Sequence, residues 1–214
     1  MARRKKFKFA EIESFSNVIE PSKEIYQKIS GNWSKFFGNN NPIVLELACG
    51  YGEYTLGLGR IFPEKNFIGV DIKGERIWMG AKIALEEGLT NIAFLRTSIE
   101  NLASFFDKQE VSEIWITFPD PQPNKISRRL TSLRYLQIYR QVSKNNSKFY
   151  LKTDNTEFFE FSLDQLLQVP TQNLKYTFDL YDSPYLSENY GLKTRYEKKF
   201  ESSKIKYLSC NFQT

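Results

Sequence analysis

From residue 42 onward, short apolar runs alternate with stretches whose apolar positions recur at helical spacing. The short runs predict strands over 43–47, 66–70, 92–95, 113–118, 149–152, 176–180 and 196–200. Between them, the 3.6-residue period predicts helices over 53–62, 75–87, 133–142 and 156–168, with a short helix over 102–107. The second helix places Ile77, Ala81, Ala84 and Leu85 on one face and stops at Gly88, while Pro63 and Pro170 close two others. Regular strand–helix alternation implies an α/β fold, a mostly parallel sheet of seven strands with helices on both faces. In such sheets ligands bind at the carboxyl ends of the strands, beside the point where strand order reverses. Ahead of this pattern, residues 10–41 predict one amphipathic helix, capped by Ser22, with Ile25, Ile29 and Trp33 four apart; a turn follows at Asn39–Pro42. The division expected is a basic tail and helical extension over 1–41 and one α/β domain over 42–214.

Composition narrows the chemistry more than the fold. The 214 residues contain no histidine, which removes imidazole acid–base catalysis, Ser/His and Cys/His nucleophile pairs and most zinc sites. No metal site is expected. Two cysteines, Cys49 and Cys210, make no disulfide framework and suit a reducing cytosol. The cations at the start are followed by no apolar segment of a secretory signal, and no run reaches the roughly 20 apolar residues of a membrane span. A cytoplasmic protein with no membrane partner is the expectation.

The net charge of +5 is unevenly spread. Residues 1–8 carry Arg3, Arg4, Lys5, Lys6 and Lys8 and no acid. Residues 121–153 carry Lys125, Arg128, Arg129, Arg134, Arg140, Lys144, Lys148 and Lys152, again with no acid, whereas the stretch between is acidic overall. One such run is ordinarily a solvated face. Two in one small chain point to a polyanionic partner, nucleic acid above all.

The strand ends hold the candidate chemistry. After the first predicted strand, Glu46-Leu-Ala-Cys-Gly-Tyr-Gly-Glu53 offers Gly50 and Gly52 for a tight turn and close ligand approach. A structural turn would look similar, but Thr55 replaces the third glycine of a dinucleotide fingerprint, and Glu46 and Glu53 would repel a pyrophosphate. The second strand ends in Asp71, placed to accept ribose hydroxyls or simply to cap the next helix. The third is followed by Arg96-Thr-Ser-Ile-Glu100, around Ser98, where an adenine edge would lie. Together these describe an adenosine ligand without phosphates, and S-adenosylmethionine has that chemistry. The fourth strand runs into Phe118-Pro-Asp-Pro-Gln-Pro123, whose alternating prolines hold Asp120 on a stiff backbone just before Lys125, Arg128 and Arg129.

The ordered set Glu46–Gly52, Gly69-Val-Asp-Ile-Lys73, Phe118-Pro-Asp-Pro121, Arg128-Arg-Leu-Thr131, Lys152-Thr-Asp-Asn155 and Thr194-Arg-Tyr-Glu197 resembles the bacterial tRNA (guanine-N7-)-methyltransferase family along nearly the whole chain. The resemblance implies a Rossmann-like class I methyltransferase fold and transfer of a methyl group from S-adenosylmethionine to N7 of guanine 46 in the tRNA variable loop, forming 7-methylguanosine. It implies cofactor contacts at Glu46, Gly50, Gly52, Asp71, Ser98 and Asp120, with Asp120 also catalytic. It implies substrate contacts at Lys125, Arg128, Arg129, Asp154, Thr194, Arg195 and Glu197, in a monomer or homodimer. The chain departs from the family's usual residues at Ala48, Ser98, Gln122 and Asn124.

Guanine N7 carries a free lone pair and no proton, so a protein without histidine can direct this reaction through alignment alone. Carboxylates at Asp120, Asp154 or Glu197 would favour the positive charge that develops on the purine, and are expected to be ionised by about pH 6. Aromatic residues in 181–196 are candidates for cradling an unstacked base. The competing readings are a methyltransferase acting on an exocyclic amine of RNA or DNA, and a non-catalytic RNA-binding protein on the same scaffold.

Overall fold

The structure, a computed structural model, describes Lys8 and residues 11–199 and 203–213. Arg3, Arg4, Lys5 and Lys6 of the basic tail lie outside the described residues, as does Phe200.

The strands are β1 (Val18–Ile19), β2 (Ile43–Leu47), β3 (Asn66–Asp71), β4 (Ile92–Arg96), β5 (Val111–Thr117), β6 (Ser143–Thr153), β7 (Thr171–Thr177) and β8 (Lys206–Phe212). The α-helices are a turn over residues 11–14 (α1), then α2 (Trp33–Phe37), α3 (Glu53–Ile61), α4 (Gly74–Glu86), α5 (Leu133–Val142), α6 (Thr156–Leu166) and α7 (Arg195–Lys199). All eight strands form one sheet in the order β1-β4-β3-β2-β5-β6-β8-β7. Pairing is parallel from β1 to β6, and β8 runs antiparallel to both β6 and β7.

Alternation along the strands explains the two-sided core. Ile43, Leu45 and Leu47 of β2 face the same side as Ile114 and Ile116 of β5, where they meet Leu136 and Tyr139 of α5, Phe158 and Phe159 of α6, and Trp33. Val44 and Trp115 face the other side, against Tyr54 and Leu58 of α3 and Ile77 and Ala81 of α4. Strand order reverses between β2 and β5, so their carboxyl ends open the crevice in which a ligand fits.

Most predicted central elements stand within two residues of the observed ones. However, β6 begins six residues ahead of its predicted start, the short helix expected over 102–107 is a 3-10 segment over Ile99–Ser104, and the two ends of the chain differ further. The extension is not one helix. Gly31, at φ 67°, breaks the spacing of four, leaving a 3-10 turn over Glu24–Gln27 and the short α2. Ser22 caps neither piece; its hydroxyl donates to Glu20. Trp33 anchors the segment instead, donating its indole N–H to the Phe105 carbonyl at 2.8 Å and stacking on Phe106. The extension also adds β1, an eighth strand, at the sheet edge. At the other end β7 begins right after Pro170, ahead of its predicted position, and β8 is a strand that the sequence reading leaves unassigned. The predicted strand 196–200 is helix over its described residues: Thr194 Oγ1 accepts the Glu197 N–H at 3.1 Å and Glu197 Oε2 accepts the Thr194 N–H at 3.3 Å. That reciprocal pair starts a helix and has no counterpart in a strand.

Close packing of α4 on the glycine turn depends on Gly80. A Cβ there would stand 2.4 Å from the Tyr51 carbonyl oxygen and 2.7 Å from the Phe94 ring. Alanine in a helix interior is ordinarily better than glycine by about 1 kcal/mol. Gly80→Ala is nevertheless expected to destabilise the protein by about 1–3 kcal/mol, the usual cost of overpacking. Urea unfolding midpoints check this, and an unchanged or raised midpoint would show that the helix and turn can separate freely.

Candidate active site

The crevice above β2 and β5 contains a cavity of about 360 Å³. Its walls are Glu46, the turn Ala48–Tyr51, Thr117 and Phe118, and the segment Thr194–Tyr196. The turn is held in left-handed backbone conformations, with Ala48 at φ 55°, Gly50 at 56° and Gly52 at 71°. Such a conformation costs a residue with a side chain about 1–2 kcal/mol, and Ala48 bears that strain beside the cleft. A Cβ added to Gly50 would meet nothing within 4 Å. The space beside that backbone is open, which is what close approach of a ligand requires.

Glu46 is buried at the floor. Its Oε2 accepts the Thr55 N–H at 2.8 Å and the Thr55 hydroxyl at 2.6 Å, and its Oε1 accepts the Thr117 hydroxyl at 3.2 Å. Burial outweighs these three bonds and raises its pKa to about 7. The desolvation arises because β2 delivers this carboxyl into the sheet interior rather than to its rim.

Three further predicted carboxylates stand just outside the cavity wall. Asp71, at the end of β3, accepts the Gly50 N–H at 2.9 Å and the Lys73 N–H at 2.8 Å, so it steadies the turn and the start of α4 together. Each of its oxygens retains a lone pair. Asp120 is exposed two residues beyond Phe118 and accepts the Gln122 N–H at 3.0 Å. The turn carrying it is strained at both ends, with Phe118 at φ 49° and Gln122 at 45°. Asp154 accepts the Tyr196 hydroxyl at 3.1 Å, and the Tyr196 ring lies 5.4 Å from that of Phe118. Ser98 follows β4 at the same end of the sheet and makes no capping bond with its side chain. Glu100 is engaged elsewhere, by the Tyr135 hydroxyl and Arg134.

The cations divide. Lys125 and Arg128 are exposed around the 3-10 turn Ile126–Arg128. Arg129 is 2% exposed. Its guanidinium donates to the Pro121 carbonyl at 3.0 Å and pairs with Glu157 at 2.5 Å, so it braces the proline turn from within. Arg195 is exposed, and its N–H and guanidinium both meet Glu53, tying the first residue of α7 to the first of α3. Thr194 and Glu197 are buried.

Sequence reasoning missed the partners of that segment. Lys152 is wholly buried, donating to the Tyr54 hydroxyl and Asn189 Oδ1 at 2.6 Å and to both Glu197 oxygens at 3.1 Å. Burial lowers its pKa to about 8 against the pull of Glu197. Burial also pushes the Cys49 thiol well up, which removes it as a nucleophile. Among the described residues no group of three potential ligands gathers for a metal ion, and no helix is long and apolar enough to cross a membrane.

Solved structures share this architecture at low identity. An antibiotic-related methyltransferase superposes with a TM-score of 0.62 at 14% identity, covering 86% of this chain and 94% of its own. The 16S rRNA (adenine(1408)-N(1))-methyltransferase of Catenulisporales acidiphilia does so with the same TM-score and identity, over 86% and 93%. Residues 40–210 match the family model described as "Putative methyltransferase". Fold and family model thus define a methyltransferase of the Rossmann-like class. Closer relatives narrow this. The tRNA (guanine-N(7)-)-methyltransferase of Cytophaga hutchinsonii is 45% identical, over 99% of both chains, and that of Christiangramia forsetii is 47% identical over 90% of both. The chain belongs to the tRNA (guanine-N(7)-)-methyltransferase family.

The raised pKa of Glu46 has a measurable consequence. A carboxyl that protonates more readily folded than unfolded contributes stability below its unfolded pKa near 4.5, and that contribution is lost as pH rises to about 7. Glu46→Gln is therefore expected to gain stability relative to the unaltered chain between pH 4.5 and 8, by an amount on the order of 3 kcal/mol. Urea titrations at the two pH values decide it. Equal differences at both would mean that Glu46 is already ionised in acid.

Proposed function

We propose that this chain transfers a methyl group from S-adenosylmethionine to N7 of guanine 46 in the variable loop of tRNA, in the cytoplasm. The observation that carries this reading is the match to tRNA (guanine-N(7)-)-methyltransferases over essentially the full chain.

The cleft suits the cofactor. Open space at Gly50 admits an adenosine-bearing ligand close to the backbone. The walls mix the acids Glu46 and Glu53 with Arg76, Arg195 and Lys199, a set suited to the ammonium and carboxylate of an amino-acid end. Glu46 would face the ammonium and Asp71 the ribose hydroxyls, with Ser98 and Asp120 on either side. The cofactor supplies an electrophilic methyl carried on a sulfonium.

The protein's own work is then alignment and charge. No residue has to remove a proton, because N7 has none. Phe118 and Tyr196 present aromatic faces at the cleft mouth, where an unstacked base is held. Asp120 and Asp154 bring negative charge to the same mouth and favour the cation developing on the purine. Lys125 and Arg128 extend the site outward towards tRNA phosphates. The titration of Glu46 belongs to cofactor binding: the ligand ammonium favours the ionised carboxylate, so affinity weakens as pH falls below about 7 while the saturated chemical step does not.

Incubation with radiolabelled S-adenosylmethionine and unmodified tRNA, followed by aniline cleavage at 7-methylguanosine, tests the reading. Label at a single cleavage site in the variable loop is expected; label without cleavage would place the methyl on another atom. Asp120→Asn is expected to slow single-turnover transfer by roughly 10- to 100-fold with the fold intact. An unaltered rate would remove Asp120 from the chemistry. Lys125→Ala and Arg128→Ala should each lower the log–log salt slope of tRNA binding by about 1. An unchanged slope would leave both residues as solvated surface.

A further inference from the structure

Beneath the outer wall of the cleft lies a polar cluster that the chemistry above does not use. Five parts of the chain meet there: Tyr54 of α3, Lys152 of β6, Asn189, Tyr181, and Glu197 of α7. The Lys152 ammonium has three hydrogens and four acceptors around it, all drawn from these residues. The Glu197 carboxylate is 2% exposed and accepts from Lys152, the Tyr181 hydroxyl and the Thr194 N–H. Its oxygens point into the protein and are occupied there. The neighbours Thr194, Arg195 and Tyr196 line the cleft on the opposite side of this short helix.

We infer that Lys152 and Glu197 are positioning residues that lock α7 against α3 and β6, and that Glu197 serves tRNA through the placement of Thr194–Tyr196 rather than by reading the guanine edge. The inference rests on the function proposed above and sharpens one of its parts. Tyr54 lies two residues beyond the turn glycine Gly52 and next to Thr55, which holds Glu46. The lock therefore joins the cofactor floor to the substrate wall through one buried ammonium. A substrate-reading carboxylate would need free lone pairs directed into the cleft, and those of Glu197 are directed away from it.

The two roles separate on a substrate lacking the group a reader would hold. Kinetics are measured on tRNA carrying guanosine or inosine at the target position, since inosine lacks the exocyclic amine. For Glu197→Gln the KM for tRNA is expected to rise about tenfold, with kcat changed less than about threefold. The guanosine-to-inosine ratio of kcat/KM should stay within about twofold of the unaltered chain's. Lys152→Met should show the same pattern, and Lys152→Met/Glu197→Met should be no worse than the worse single variant, as for groups that act as a unit. Tyr181→Phe, a milder change, should shift KM in the same direction. Amide hydrogen exchange over residues 194–199 should quicken in Lys152→Met and Glu197→Gln. A guanosine-to-inosine ratio altered more than about fivefold in Glu197→Gln would make Glu197 a reader and overturn the inference. So would exchange over 194–199 that is unchanged in Lys152→Met. Should the unaltered chain leave tRNA unmethylated, the functional reading fails, and the exchange measurement still decides the lock.

Discussion

The carboxylate of Glu46 is the stitch on which the rest of the site depends. It leaves β2, accepts the backbone N–H and the hydroxyl of Thr55 in the first turn of α3, and reaches across to Thr117 at the end of β5. Those three elements bound the point where strand order reverses. One buried acid thus fixes the direction of the helix after the glycine turn and the spacing of the crevice. The cost is desolvation, visible in its raised pKa. A ligand cation in the crevice would offset that cost.

The same economy recurs around the rest of the cleft. Asp71 uses both oxygens to steady backbone N–H groups, and Arg129 holds the proline turn by a carbonyl. Polar groups close to the cleft orient the chain first and leave only part of their capacity outward. This preorganisation suits a transfer in which geometry, rather than proton movement, lowers the barrier.

The central α/β unit was legible in the sequence because most of its strands are buried apolar runs bounded by a turn; the first half of β6, polar and largely exposed, gave no such signal. Strand β2 and helix α5 fall at their predicted limits, and the carboxyl-end rule located the crevice. The extension was misread because Ile25, Ile29 and Trp33 keep helical spacing across Gly31, whose left-handed φ the spacing does not reveal. The edge strand β7, Thr171–Thr177, is polar and half exposed and so carries little period-2 signal. In Thr194-Arg-Tyr-Glu197 the signal was present: a threonine followed three residues later by a glutamate announces a helix start, and the aromatic at Tyr196 obscured it. Motif resemblance named the site residues without showing which way each one faces. Arg129 and Glu197 turn inward, and no linear pattern distinguishes an inward charge from an outward one.

Arg129 illustrates what this means for anyone altering the protein's surface. In a charge plot it is one of eight cations in an acid-free stretch. In three dimensions it is a strut, flanked on Phe161 and pinned to Pro121. Supercharging or charge-neutralising the stretch as a block would mix two outcomes, a weaker electrostatic grip and a sagging proline turn, and no binding curve could separate them. The editable surface here is smaller than the basic stretch, and its limit is drawn by a backbone carbonyl.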